Sequence, residues 1–60
     1  MTDIIIQGIY GRMGRALLEK IGARDDCRVV AGVDREAGNV GGIPVYAGFA
    51  ELPCKGVIID

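Results

Sequence analysis

The hydrophobic positions of this chain occur mainly in continuous runs. Runs of this kind, without alternation, are typical of parallel β-strands that are covered on both faces. Three such runs predict strands, at residues 4–7, 27–33 and 57–60. The segment between the first two has a helical pattern, so we expect a right-handed βαβ unit whose strands lie side by side.

Residues 12–21 predict the helix of this unit. Met13, Leu17 and Ile21 recur every four positions, and this apolar stripe is expected to pack on the sheet. Gly22 follows at a position where a left-handed residue often ends a helix. We therefore expect Met13 and Leu17 to belong to the core.

The segment between the second and the last run is less regular. Residues 36–42 predict a glycine-rich loop that is too short for the usual crossover helix. Residues 43–46 predict a short strand, and Pro44 restricts it to the edge of the sheet. Residues 47–52 predict about a turn and a half of helix, which Pro53 ends. The whole pattern predicts an α/β fold with a Rossmann-like parallel sheet, made of a βαβ core, a short edge strand and a final strand.

Three glycines, spaced as Gly8-x-x-Gly11-x-x-Gly14, lie between the first strand and the helix. In a dinucleotide-binding turn, the first glycine permits a sharp turn and the second lets a pyrophosphate approach the backbone. The third lets the helix pack closely on the strand. No Ser, Thr, Asp or Asn lies between Gly8 and Gly14 to cap the helix, so its free N–H groups suit a phosphate. The alternative is a tight strand-to-helix turn that binds no ligand.

An acidic residue favours the nucleotide interpretation. Asp34 ends the second strand, 20 residues after Gly14. The dinucleotide fingerprint has an acid at this distance, which accepts hydrogen bonds from the adenosine ribose. Asp34 and the glycine turn both follow the carboxyl ends of strands, where open α/β sheets bind ligands.

Composition narrows the class of protein. The chain has 60 residues and a formal charge of −1, from 7 basic and 8 acidic residues, so it shows no nucleic-acid footprint. No apolar run approaches the length of a membrane span, and the start of the chain lacks the basic region of a signal peptide. With no histidine and two cysteines there are too few soft ligands for a zinc site. We expect a cytoplasmic protein in which Cys27 and Cys54 are buried, reduced thiols that begin two strands separated by a third.

Sixty residues make at most one small domain, which buries only about 60% of its unfolded surface. The sequence offers one convincing helix, whereas a parallel sheet is normally covered on both faces. We therefore expect residues 1–60 to be the opening portion of an NAD(P)-binding Rossmann domain, with the catalytic and substrate domain absent from the chain. If these residues fold alone, the uncovered face favours self-association.

The chain resembles the N-terminus of the dihydrodipicolinate reductase family. The resemblance rests on the run Gly11-Arg12-Met13-Gly14-Arg15, on Val33-Asp34-Arg35 and on the apolar run at 57–60. It implies an enzyme, usually a tetramer, that uses NADPH or NADH to reduce a cyclic imine-type intermediate of lysine and diaminopimelate biosynthesis. The small-molecule substrate and the catalytic motif would belong to a part of the family's sequence that has no counterpart here. The pair Ile9-Tyr10 replaces smaller residues, and the loop at 36–42 is short.

The resemblance also implies which residues bind the cofactor. The residues of the glycine turn would hold the pyrophosphate, namely Gly8, Ile9, Tyr10, Gly11, Arg12, Met13 and Gly14. Asp34 would bind the ribose hydroxyls, and Arg35, with Arg12, would meet a 2′-phosphate through its guanidinium. The alternative for both arginines is a solvated surface position. No residue of the chain is expected to be catalytic or to bind a metal.

Two other functions remain open at this point. One is another amino-acid-pathway dehydrogenase with a similar opening, such as an aspartate or homoserine dehydrogenase, although the Gly-Arg-Met-Gly run argues against it. The other is a nucleotide-sensing module without catalytic activity.

Overall fold

Five strands, one α-helix and one 3-10 turn make up the part of the chain that the computed structural model describes, residues 1–59. In chain order they are β1 (Thr2–Gln7), α1 (Arg12–Gly22), β2 (Cys27–Val33), β3 (Gly38–Val40), β4 (Ile43–Tyr46), the 3-10 turn (Phe49–Glu51) and β5 (Val57–Ile59). The predicted strand at 57–60 is thus confirmed up to Ile59, and its last residue, Asp60, lies outside the described residues.

The strands form a single mostly parallel sheet in the order β3-β4-β2-β1-β5. β1 pairs in parallel with both β2 and β5, and β2 pairs in parallel with β4. Because β1 lies between two other strands, its side chains Ile4, Ile5 and Ile6 are almost completely buried. The predicted fold class, α/β with a Rossmann-like sheet, is confirmed.

Successive side chains of β1 point to opposite faces of the sheet and build two apolar layers. On one face, Ile4 and Ile6 pack with Ile21 of α1. On the other face, Ile5 packs in a cluster that includes the partly buried Leu52. The helix therefore covers one face, and the segment around the 3-10 turn covers part of the other. The predicted turn and a half of helix at 47–52 is shortened to this 3-10 turn.

The predicted loop at 36–42 contains a strand. β3 pairs antiparallel with β4 across a two-residue turn, in which Gly41 and Gly42 have φ of 55° and 87°. Positive φ at both central residues is the conformation that two-residue hairpins require, and glycine adopts it without strain. The side chain of Asn39 accepts a hydrogen bond from the Gly42 N–H at 2.9 Å. The connection from β2 to β4 is therefore a hairpin in place of the usual crossover helix.

The prediction that Pro44 keeps its strand at the edge is wrong, because β3 occupies that edge. β4 pairs with β2 only through Val45 and Tyr46, so Pro44 lies before this ladder begins. A proline at that position removes no hydrogen bond from the contact between β4 and β2.

Three further expectations about packing are wrong. Gly22 is the last residue of α1 rather than a left-handed cap, and Ala23 ends the helix with φ of −86°. Met13 is 72% exposed, whereas Leu17 and Ile21 of the same stripe pack against the core cluster. β5 is not buried on both faces: Val57 and Ile58 are about half exposed at the free side of the sheet.

Both cysteines are free thiols and are partly rather than fully buried. β1 lies between β2 and β5, as predicted, but Cys54 precedes β5 instead of starting it. Among residues 1–59 there is no helix with the length and apolar character needed to cross a membrane.

Gly14 allows α1 to lie directly against the end of β1. It is buried, and a Cβ atom on it would lie 2.6 Å from the Cα of Ile9 and would also overlap the carbonyl oxygen of Gly8. Both obstacles are backbone atoms, so a side-chain rotation cannot relieve the overlap. Only glycine permits this approach.

Gly14→Ala should therefore destabilise the chain, although alanine is the better helix former. Moving α1 off the sheet should cost roughly 1–3 kcal/mol. The matched control is Gly22→Ala in the same helix, where a Cβ meets nothing within 4 Å and φ is not positive. This control should stabilise by about 0.4–1 kcal/mol. Urea denaturation followed by circular dichroism measures both, and equal effects would contradict the packing assigned to Gly14.

Candidate functional site

The glycine turn begins where β1 ends. Gly8 has φ of 73°, a left-handed conformation that favours glycine, and a Cβ on it would meet nothing within 4 Å. Its N–H donates to the carbonyl of Val33 at 2.7 Å, and its own carbonyl accepts from the N–H of Gly11 at 3.0 Å. The turn is thus fixed to the end of β2 and closed on itself.

The start of α1 has no side-chain cap. Its N-cap residue is Gly11, with an extended backbone. The carbonyl of Gly11 accepts the N–H of Arg15 at 3.0 Å, which is the first helical hydrogen bond. The N–H groups of Arg12, Met13 and Gly14 precede that bond and have no partner within the helix. Together with the helix dipole they favour an anion at this end.

Asp34 joins the end of β2 to the glycine turn. Gln7 of β1 pairs with Val33 of β2, so both strands end at the same level. One oxygen of the Asp34 carboxylate accepts the N–H of Tyr10 at 2.9 Å, and the other accepts the N–H of Arg35 at 2.8 Å. Each oxygen keeps a further lone pair for a ligand.

These contacts also determine the charge of Asp34. The Tyr10 N–H, and after it the Arg35 N–H, lower the pKa of the carboxyl below its ordinary value, because both donors stabilise the ionised form. The group is therefore a carboxylate throughout the neutral range. A carboxylate with free lone pairs accepts hydrogen bonds from hydroxyl groups and repels anions.

The turn and Asp34 share a groove at the carboxyl ends of β1 and β2. Its volume is about 470 Å³, and its lining residues are Gly8, Tyr10, Gly11, Asp34, Arg35 and Glu36. A smaller groove of about 270 Å³ adjoins it and is lined by Gln7, Gly8, Val33, Asp34 and Arg35. The walls thus combine the glycine backbone of the turn, a carboxylate and an exposed arginine.

The structure brings together five of the nine residues predicted to bind a cofactor: Gly8, Tyr10, Gly11, Asp34 and Arg35. Ile9 lies under the turn with its side chain fully buried, so its side chain is not available to a ligand. Gly14 is also buried and acts through packing. Arg12 and Met13 are exposed at the start of α1 but do not line the groove.

Sequence reasoning missed the contribution of the connection between β2 and β3. The hydroxyl of Tyr10 donates to the carbonyl of Glu36 at 3.1 Å, so this connection forms a wall of the groove. The Gly41-Gly42 pair between apolar residues was the available signal for the hairpin that follows. No sequence pattern indicates the contact between Tyr10 and Glu36.

Comparison with known proteins identifies relatives of the chain. It matches the family described as "Dihydrodipicolinate reductase, N-terminus" over residues 2–59. A 4-hydroxy-tetrahydrodipicolinate reductase from Thiobacillus denitrificans is 46% identical over 39 residues, which cover 65% of this chain and 15% of that protein. One from Methanospirillum hungatei JF-1 is 40% identical over 65 residues, which cover 100% of this chain and 26% of that protein. No solved structure matches the chain significantly.

The chain thus spans between 15% and 26% of the length of these two relatives. The family match includes the glycine turn and Asp34, which line the groove, and the helix α1 that follows the turn. Since it extends over residues 2–59, the chain belongs to the dihydrodipicolinate reductase family, as a member of its N-terminal part.

Proposed function

We propose that the chain binds the adenosine and pyrophosphate parts of NADPH or NADH in a 4-hydroxy-tetrahydrodipicolinate reductase. The observation that carries this proposal is a groove lined both by Gly11, the N-cap residue of α1 that offers no side-chain cap, and by the carboxylate of Asp34. One wall suits an anion and the other suits hydroxyl groups. A dinucleotide carries both kinds of group next to each other, the anionic pyrophosphate and the hydroxyl groups of the ribose.

The pyrophosphate would lie over the glycine turn. A Cβ at Gly8 would occupy open space, and at Gly11 it would come within 3.3 Å of the Gly8 carbonyl. Glycine at these positions leaves the backbone accessible to a phosphate. The free N–H groups of Arg12 and Met13 would donate to it, as at other helix N-termini that bind phosphates.

The ribose would lie against Asp34, whose lone pairs accept hydrogen bonds from the 2′ and 3′ hydroxyl groups of NADH. NADPH carries a 2′-phosphate, which this carboxylate repels. Arg35 is the adjacent residue and is exposed, and its guanidinium can hold a phosphate through two hydrogen bonds. We propose that this pair of opposite charges lets the site accept either cofactor.

The bound cofactor supplies a hydride, and the residues described here hold and orient it. By the family resemblance, the acceptor is a cyclic imine-type intermediate of lysine and diaminopimelate biosynthesis, and its binding domain lies outside this chain. The cytoplasmic location and the homo-oligomeric state, a tetramer by resemblance, remain predictions.

Arg35→Ala should weaken NADPH binding and leave NADH binding nearly unchanged. A lost charge-assisted contact of roughly 1.5–3 kcal/mol corresponds to about a tenfold to hundredfold loss of affinity. Isothermal titration of the purified chain with each cofactor measures the effect. Arg15→Ala is the matched control, because it removes an exposed arginine of α1 that does not line the groove. Equal losses with both cofactors would mean that Arg35 contacts a part that they share.

The 60-residue chain should have no reductase activity. A general acid has to lie within hydrogen-bond reach of the reacting atom. The chain has no histidine, and the family's motif with histidine and lysine has no counterpart in its sequence. NADPH oxidation in the presence of the cyclic imine tests this, with the Methanospirillum hungatei reductase as the positive control. Measurable turnover by the purified chain would contradict the assignment of catalysis to residues outside it.

A further inference from the structure

Tyr10 contacts both chain neighbours of Arg35. Its backbone N–H donates to the carboxylate of Asp34 at 2.9 Å, and its hydroxyl donates to the carbonyl of Glu36 at 3.1 Å. Tyr10 lies in the glycine turn, and all three of these residues line the groove. One residue of the turn thus holds the side chain that precedes Arg35 and the peptide carbonyl that follows it.

The end of the Tyr10 ring fits against the start of β3. A Cβ atom on Gly38, the first residue of that strand, would overlap the Tyr10 hydroxyl oxygen. Glycine at this position leaves the space that the phenol occupies. The contact therefore depends on two positions far apart in the sequence, and it fixes the path of the chain from β2 into the hairpin.

Arg35 is held through its backbone rather than through its side chain. Its N–H donates to Asp34 at 2.8 Å, whereas its guanidinium forms no hydrogen bond or ion pair with the residues between 1 and 59. The direction in which this exposed side chain leaves the groove wall is therefore determined by the backbone of residues 34–36. Tyr10 restrains that segment directly at the Glu36 carbonyl and, through the carboxylate, at the Asp34 side chain.

We infer that Tyr10 is a positioning residue for the ribose 2′-phosphate and that it acts through Arg35. This inference rests on the proposed nucleotide site. The Tyr10 hydroxyl holds the Glu36 peptide so that the Arg35 guanidinium remains beside the ribose carboxylate, Asp34. The hydrogen bond from the Tyr10 N–H orients the Asp34 carboxylate, which contacts the ribose of either cofactor. The hydrogen bond from the Tyr10 hydroxyl orients Arg35, which contacts only the 2′-phosphate.

Tyr10→Phe separates the two bonds, because it removes the hydroxyl and keeps both the ring and the backbone N–H. The probes are adenosine 2′,5′-bisphosphate and AMP, which differ by the 2′-phosphate alone. Isothermal titration of the purified variant should show an affinity for the bisphosphate that is lower by about threefold to tenfold, the range for one neutral hydrogen bond. Its affinity for AMP should equal that of the unmodified chain.

A double-mutant cycle tests whether Tyr10 acts through Arg35. In the Arg35→Ala background, Tyr10→Phe should cause no further loss of affinity for the bisphosphate. A loss of the same size in both backgrounds would overturn the inference, because the hydroxyl would then act independently of Arg35. Equal weakening of AMP and the bisphosphate would also overturn it, since Tyr10 would then serve the part that the two ligands share.

Tyr46→Phe is the matched control, because it removes the chain's other phenol hydroxyl, from a side chain that does not line the groove. It should leave both affinities unchanged. If the unmodified chain binds neither ligand, the proposed nucleotide site fails, and the role of Tyr10 fails with it. If the unmodified chain binds both ligands and Arg35→Ala is selective, but Tyr10→Phe behaves like the unmodified chain, only the role of Tyr10 fails.

Discussion

The hydrogen bond from the Tyr10 N–H to the Asp34 carboxylate joins two segments that are 24 residues apart. It places the glycine turn and the end of β2 on the two sides of one groove. The charge on Asp34 strengthens the bond, and the second donor, the Arg35 N–H, fixes the other oxygen. Hydrogen bonds within the protein hold these groups in place, and groups held in this way lose less conformational freedom when a ligand binds.

The core beneath the turn supports this hydrogen bond. Ile9 is fully buried, and a Cβ on Gly32 of β2 would lie 2.6 Å from its Cδ1 atom. On the helix side, Gly14 allows α1 to contact the backbone of Gly8 and Ile9. The turn is therefore held from below by side-chain and helix packing. The N–H groups of Arg12 and Met13 follow the turn and have no partner within the helix, and we propose that they donate to a ligand.

The sequence was sufficient to predict the βαβ core, the glycine turn and the placement of Asp34, because each depends on local spacing. The helical spacing of Met13 matches that of Leu17 and Ile21 and predicts a core position, although Met13 is exposed at the start of α1. The glycine content of residues 36–42 predicts a loop, whereas the Gly41-Gly42 pair within it forms the two-residue turn of a hairpin. The contact from Tyr10 to Glu36 depends on where that hairpin returns, and no local pattern encodes it.

Backbone amide chemical shifts of the purified chain, recorded during titration with AMP, test most directly whether the glycine turn and Asp34 form one nucleotide site. The account predicts that the largest changes occur at the amides of Gly11, Arg12 and Met13 and at that of Arg35, all in the same concentration range. The amino ends of β1 and β2, at the opposite end of these strands from the groove, carry an exposed ion pair between Arg28 and Asp3, which offers another cation for a phosphate. Changes centred on that ion pair, or none at the turn, would contradict the account.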